Sequence, residues 1–245
     1  MTMRDDLLHA QASVDWAVAQ FPSLAQRIDS WLKFNIEVAV EDPDPSVPNN
    51  VIVAVEKEPL PLALNVAVGA YINAIRSSLD ILATSLAYRY RIGNPDKTYF
   101  PIVESESIFN GGKFKGAKFI KGLPKVERTA VELLKPYKGG NELLWPLHQL
   151  DIMRKHRRLI GVEATPQTFM VSGWGDSITP VATGWMRANN KTVLALVRKD
   201  APKAHVRFTP EVTIYEADLV ERKGVIKALN QFASLADSII KLFDS

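Results

Sequence analysis

The chain has 245 residues, of which 47% are hydrophobic and 23% charged, and it contains no cysteine. This composition is typical of a globular protein and excludes a disordered tail, a disulfide framework, a thiolate nucleophile and a cysteine-ligated zinc site. The net charge is only +3, but twelve Lys or Arg and four Asp or Glu lie between Gly111 and Arg158, giving that segment a charge of +8. This basic segment predicts either an anionic partner such as RNA or a solvated basic face.

The first part of the chain predicts two helices and a hairpin. Apolar residues recur at helical spacing over residues 5–21, and Pro22 interrupts the run before a second helical stretch over residues 23–32. Apolar and polar residues then alternate in two short runs separated by a Pro- and Asn-rich turn. This alternation predicts a hairpin over residues 34–56.

The segment from Asn65 to Tyr88 predicts the central helix of the fold. Its apolar positions follow alternating spacings of three and four residues, at Ile72, Ile75, Leu79, Leu82 and Leu86. Asn73, Arg76 and Asp80 form a polar stripe on this helix, which is otherwise nearly free of charge. Because an unpaired buried charge is costly, these side chains are expected to find partners inside the protein.

The next segment, "FNGGKFKGAKFIKGLP", interleaves lysines with glycines and phenylalanines. Lys115 and Lys118 are candidate binding residues, since basic and aromatic side chains together can bind phosphates and stack on bases. The alternative is a mobile, solvated surface loop. No GxxxxGK[ST] or GxGxxG motif is present, so no nucleotide-binding fold is predicted.

Residues 142–158 predict a helix whose apolar stripe ends in a charge. Leu143, Leu147 and Leu150 share one face, and Arg154 occupies the next position of that stripe. Asp151 lies at the edge of the same face, so Asp151 and Arg154 are expected to meet Arg76 and Asp80 in a buried polar cluster. His156 projects from a different face.

The remainder of the chain predicts an antiparallel sheet over residues 159–218, with an Asn189-Asn190 hairpin turn, and a closing helix over residues 221–243. The predicted class is α+β: a helical bundle around the central helix of about residues 65–90, packed with an antiparallel sheet. We expect a single domain over residues 1–245, with the helical part over about residues 1–158.

Motifs for catalysis are scarce. No HExxH and no pair of histidines four residues apart occurs, and no GxSxG elbow is present, so neither a metal site nor a cofactor is predicted. His156, with Arg157 beside it, is the candidate for general acid-base chemistry. The alternative for His156 is a histidine that lies against Trp145 at the end of the helix.

No targeting or membrane-spanning segment is predicted. The opening "MTMRDDLLHAQ" lacks a basic region followed by an apolar one, and no apolar run reaches the length of a membrane span. We therefore expect a soluble, cytoplasmic protein without a membrane partner. Its oligomeric state stays open.

Several of these stretches together resemble a group of uncharacterised bacterial proteins. The shared pattern is an Asn-x-x-Arg-Ser-x-Leu-Asp helix, then Phe-Pro-Ile, Gln-Pro-Tyr and a Leu-rich helix ending in Asp-Lys-His-Arg. Here Lys135 replaces the Gln and Arg154 replaces the Asp. The matching positions between Asn65 and Leu159 are Asn73, Arg76, Asp80, Phe100, Pro101, Pro136, Tyr137, Lys155, His156 and Arg157.

A weaker similarity is to the HEPN class of helical, metal-independent ribonucleases. That resemblance implies an Arg-x(4 to 6)-His motif on one helix, with Arg on the scissile phosphate and His assisting the transfer. The predicted helix over residues 142–158 departs from this motif, because only Lys155 separates Arg154 from His156. A formal match from Arg198 to His205 falls in a predicted strand and a Pro-containing loop.

Three functions follow as hypotheses. The first is a binding or interaction protein with a buried polar cluster, whether or not it has a hidden activity. The second is binding or cleavage of RNA by the basic segment. The third is a small-molecule pocket lined by Trp174, Trp185 or Tyr137.

Overall fold

The protein has the predicted α+β architecture. The computed structural model describes residues 3–172, 178–181, 190–200, 205–216, 219–220 and 222–244. Within these ranges the α-helices are α1 Leu8–Asn35, α2 Leu62–Arg89, α3 Glu106–Gly111, α4 Ala117–Gly122, α5 Lys125–Leu133, α6 Leu144–His156 and α7 Val225–Lys241. Short 3-10 helices cover Asp5–Leu7 and Pro95–Lys97.

The strands form two sheets in the described residues. They are β1 Ile36–Glu41, β2 Asn49–Glu56, β3 Val162–Ser172, β4 Ile178–Pro180, β5 Lys191–Arg198 and β6 His205–Ile214. One sheet has the order β1-β2-β5-β4 with antiparallel neighbours, and β3 pairs with β6 in the other. The predicted hairpin is present as β1 and β2, where Ile36 pairs with Glu56.

The chain divides into two compact units. The helical unit consists of Met1–Leu24, Asn65–Gly161 and Ile214–Ser245. The sheet unit consists of Ala25–Leu64 and Val162–Thr213, with a core that includes Ile52, Leu194 and Val197. The prediction of a single domain stays a prediction.

Helix α1 continues through Pro22, so the prediction of two separate helices is wrong. Buried positions recur without a change of phase on both sides of the proline, and they are Leu7, Ala10, Val14, Ala17, Phe21, Leu24, Ile28 and Trp31. Pro22 itself is exposed. The free energy gained by burying the continuous apolar stripe therefore exceeds the cost of the hydrogen bond that the proline ring removes from the Val18 carbonyl.

Helix α2 has the core stripe that its sequence predicts, because Ile72, Ile75, Leu79, Leu82 and Leu86 are fully buried. Among the described helices α2 alone is long and apolar enough to cross a membrane, judged by length and composition. Half of that apolar window is buried within the protein, and the core helix of a soluble protein meets the same criterion.

The segment "FNGGKFKGAKFIKGLP" is more ordered than a mobile, solvated loop. It includes the end of α3 and all of α4, which are joined by a turn with Gly112 and Gly116 at positive φ. Ala117, Phe119 and Ile120 of α4 are buried. These apolar side chains attach the segment to the helical unit, whereas Lys115 and Lys118 are exposed.

Some sequence predictions concern residues outside the described ranges. Asn189, the first residue of the predicted hairpin turn, lies outside them, and so do Trp174 and Trp185. The closing helix is shorter than predicted and runs from Val225 to Lys241.

Replacing Pro22 by alanine is expected to stabilise the protein by roughly 1 to 3 kcal/mol. The substitution restores an N–H donor for the Val18 carbonyl in the middle of a regular helix. Urea unfolding followed by circular dichroism measures the change, and Ser23→Ala, at the adjacent exposed position, is the control. Equal or lower stability of Pro22→Ala would contradict the prediction.

Candidate functional site

The polar stripe of α2 lies among the core residues of the helical unit. Arg76 is only 3% exposed, and its neighbours Ile75 and Leu79 are fully buried. A guanidinium group keeps its charge under all ordinary conditions, so burial requires hydrogen-bond acceptors around it. The fold must therefore supply acceptors close to Arg76.

Three groups contact the Arg76 guanidinium. Its Nη1 donates to Asp80 Oδ1 at 2.7 Å, and its Nε donates to His148 Nδ1 at 3.2 Å. Its Nη2 donates to the Phe100 carbonyl at 3.3 Å. The acceptors come from α2, α6 and the segment between α2 and α3, so this one charge links three parts of the helical unit.

Asp80 holds the other side of the same peptide segment. Asp80 Oδ1 accepts a hydrogen bond from the Phe100 amide at 2.9 Å, while Arg76 donates to the Phe100 carbonyl. The Phe100 side chain is 2% exposed. The Arg76-Asp80 pair therefore fixes the backbone of Phe100 through both its N–H and its C=O.

A second contact joins α2 to α6 one turn away, and an ion pair within α6 accompanies it. Asn73 Nδ2 donates to Asp151 Oδ1 at 2.8 Å, and Lys155 Nζ lies 2.7 Å from Asp151 Oδ2. The Asp151 side chain is only 5% exposed, whereas that of Lys155 is 35% exposed. Lys155 thus neutralises a buried carboxylate from the solvent side. The side chains of Asn73, Arg76, Asp80, His148 and Asp151 are called here the buried polar cluster.

His148 is neutral at pH 7 in this cluster. Burial, together with the positive charge of Arg76, lowers the pKa of His148 from 6.5 to about 4. Its Nδ1 accepts the Arg76 hydrogen bond, so the proton of the neutral ring is on Nε2. With its lone pair on Nδ1 already engaged, His148 serves Arg76 as an acceptor and is poorly suited to act as a general base.

The structure corrects the predicted role of Arg154. Among the described residues Arg154 forms no ion pair with Asp80 or Asp151, and its aliphatic stem lies against α2 at Gly69. A Cβ atom at Gly69 would be 2.8 Å from Arg154 Cγ. Arg154 continues the stripe through the methylene groups of its side chain, as long basic residues often do.

The basic residues that follow Arg154, from Lys155 to Arg158, differ in their contacts. Lys155 pairs with Asp151, and Arg158 makes two hydrogen bonds of 2.7 Å to Glu216, whose side chain is 5% exposed. His156 and Arg157 are exposed, and neither side chain has a polar contact within the described part of the chain. Trp145 lies beside His148 rather than His156. The candidate catalytic pair therefore lies outside the buried polar cluster.

A basic cavity lies beside the segment that the cluster holds. It has a volume of about 300 Å³, and its walls include Tyr99 and Phe114 together with Lys97, Lys115 and Lys118. No acidic residue lines it. Lys115 Nζ lies 3.8 Å from the centre of the Tyr99 ring. This lysine cavity contains both of the lysines that the sequence marks as candidate binding residues.

The segment from Tyr99 to Val103 connects the cluster to its surroundings. Phe100 is held by Arg76 and Asp80, and Val103 makes a parallel bridge with Tyr137. A Cβ atom at Gly116 would lie 3.1 Å from Pro101 Cβ. Only a glycine fits this approach, because Gly116 also has a φ of +104°. The segment thereby sets the position of the loop that carries Lys115.

Sequence reasoning missed two members of the site. His148 lies three residues before Asp151 and four after Leu144, so it shares their face of α6, and this spacing was the available signal. The second is the Phe100 peptide group. No side-chain pattern reveals a backbone acceptor, because every residue carries one.

Comparison with known proteins identifies no relative. No protein family, no curated protein and no solved structure matches the chain. Across the described residues, no group of three His, Asp or Glu is placed to hold a metal ion. The resemblances noted from the sequence therefore stay predictions.

Replacing Asp80 by alanine is expected to destabilise the protein by roughly 3 to 5 kcal/mol, because it leaves the buried Arg76 charge without its carboxylate partner. Chemical unfolding measures the change. The matched control is Lys241→Ala, which breaks the i,i+4 ion pair between Asp237 and a lysine whose side chain is 60% exposed. That control is expected to cost less than about 1 kcal/mol. Equal costs for the two variants would show that Arg76 does not depend on Asp80.

The protonation of His148 is expected to make the free energy of unfolding depend on pH in the acidic range. Above pH 6.5 the histidine is neutral in both states, but between pH 6.5 and about 4 the unfolded chain takes up a proton that the folded protein excludes. The free energy of unfolding therefore falls over this range, by at most roughly 3 kcal/mol from this residue. The His148→Asn variant retains an acceptor for Arg76 and should lose that part of the pH dependence. Identical pH profiles in urea unfolding would contradict the assignment.

Proposed function

We propose that this chain is a cytoplasmic binding protein for an anionic partner, and that the buried polar cluster is the structural support of the binding surface. One observation carries the proposal. Lys97, Lys115 and Lys118 line a single cavity that no carboxylate lines. Cations gathered in a concave site without internal partners attract anions, since the site itself leaves their charge uncompensated.

The contacts of the buried polar cluster support this division of roles. Arg76 and Asp151 are 3% and 4% exposed, so they are not available to a partner in solution. Arg76, together with Asp80, instead holds Phe100, which is adjacent to the cavity residue Tyr99. In this proposal Arg76 and Asp80 act on binding through the backbone that they position, and Asn73 and Asp151 through the contact of α2 with α6.

The resemblance to the bacterial group fits the same proposal. Phe100, Pro101 and Tyr137 are pattern positions of that group, and here they belong to or contact the segment that borders the lysine cavity. Arg76 and Asp80 are the pattern positions that anchor the segment, and Asn73 joins α2 to α6 through Asp151. These pattern positions are support residues, whereas His156 and Arg157 of the same pattern are exposed.

Ribonuclease activity at the end of α6 is the alternative function. His156 and Arg157 are exposed at the end of α6, and their side chains make no polar contact within the described residues. An imidazole beside a guanidinium can exchange protons with a phosphodiester that the guanidinium holds. This alternative predicts RNA cleavage without added metal, and His156→Ala should abolish it.

Retention on heparin and on single-stranded RNA at low salt tests the proposal. The double variant Lys115→Gln/Lys118→Gln should weaken binding about tenfold or more and reduce the slope of log K against log salt by roughly 0.7 to 0.9 for each lysine. Lys227→Gln/Lys241→Gln, which removes two exposed lysines of α7, is the control with the same net charge.

The outcomes separate the hypotheses. Equal weakening in both double variants would mean that binding follows net charge and not the lysine cavity. No retention of the wild-type protein at low salt would refute an anionic partner of this polymeric kind. Degradation of RNA in the presence of EDTA, lost in His156→Ala, would favour the ribonuclease alternative.

A further inference from the structure

A second and larger cavity lies on the other side of Phe114 in the helical unit. Its volume is about 530 Å³, and Phe114 lines both this cavity and the lysine cavity. Three aromatic rings stand on its wall: the Phe109 ring stacks on Phe114 with centroids 5.6 Å apart, and it lies 5.7 Å from the Tyr137 ring. This volume falls in the range of small-molecule sites. It is called here the aromatic cavity.

The charged lining of the aromatic cavity is mostly basic. Lys121, Arg128 and Lys135 line it with two acids, Glu106 and Glu132. Glu106 is engaged, because it accepts a hydrogen bond from the Tyr137 hydroxyl at 3.1 Å. The lining therefore holds three cations and two carboxylates, an excess of one positive charge. An anionic group of a ligand would balance the excess charge.

Two hydrogen bonds hold the Arg128 side chain in place, and its guanidinium has a further N–H group that can donate to a ligand. Its Nη2 donates to the carbonyls of Lys121 and Leu123 at 2.7 and 3.0 Å. Its Nη1 makes no hydrogen bond to the described residues. A carboxylate or phosphate oxygen in the cavity can therefore accept a charge-assisted hydrogen bond from this N–H group.

We propose that the aromatic cavity binds a small molecule that combines an aromatic ring with one anionic group. The ring would lie against Phe109, Phe114 and Tyr137, and the anionic group would reach Arg128 and Lys121. Ring stacking and a charge-assisted hydrogen bond each contribute to affinity, and the site places both within one cavity. This binding site does not depend on the lysine cavity, so an experiment can refute it without refuting the proposed function.

Isothermal titration with defined probes tests this inference. Adenosine monophosphate carries a ring and a phosphate, benzoate carries a ring and a carboxylate, and these two arms distinguish the two sources of the anion. Adenosine and ribose 5-phosphate each lack one part, so both should bind about tenfold more weakly than adenosine monophosphate if the phosphate arm is correct. Cyclohexanecarboxylate is the matched anion without an aromatic ring for the benzoate arm.

Variants locate the bound probe. Arg128→Gln and Lys121→Gln should each weaken binding of the better probe about fivefold to tenfold, since each removes one cation of the cavity. Lys121 is exposed and its ammonium group forms no internal ion pair among the described residues, so Lys121→Gln keeps the test valid if Arg128→Gln does not fold. Lys125→Gln, which removes an exposed cation of α5 outside the cavity lining, should leave binding unchanged.

Two results would overturn the inference. One is the absence of binding by both adenosine monophosphate and benzoate at millimolar concentration. The other is binding that Lys115→Gln/Lys118→Gln weakens while Arg128→Gln and Lys121→Gln do not. That second result would place the ligand in the lysine cavity, and it would support the proposed function while refuting this one.

Discussion

The buried charge of Arg76 is the constraint on which the helical unit depends. A guanidinium that is 3% exposed is stable only with acceptors around it, and one helix cannot supply them all. Asp80 on the same helix, His148 on α6 and the Phe100 carbonyl provide them. Satisfying this one side chain therefore fixes the packing of α2 against α6 and the path of the chain after α2.

The two cavities follow from that path. Phe100 is adjacent to Tyr99 of the lysine cavity, and Val103 pairs with Tyr137 of the aromatic cavity. Gly116 approaches Pro101 closely enough that a side chain would not fit. The Arg76-Asp80 pair thus holds a chain segment that borders the lysine cavity at Tyr99 and contacts Tyr137 of the aromatic cavity through Val103.

Charge in the sequence and charge at the surface are distributed differently in this protein. Lys155 and Arg158 neutralise the buried carboxylates of Asp151 and Glu216, and Arg154 packs through its methylene groups against Gly69. The pair with Glu216 reduces the local +8 charge, which already includes Asp151. Lys97, Lys115 and Lys118, in contrast, line a cavity that has no acidic residue among those described.

The sequence by itself determined the α+β class, the central helix and the buried polar stripe of α2, because these depend on periodicity and on the cost of an unpaired charge. It did not determine the continuity of α1 through Pro22, since the energy of a continuous core stripe depends on what packs against it. Only the tertiary structure decided that His148 and the Phe100 peptide contact Arg76, and that Arg154 pairs with neither Asp80 nor Asp151 among the described residues. Such partners are chosen by distances between segments far apart in the chain, which local spacing does not encode.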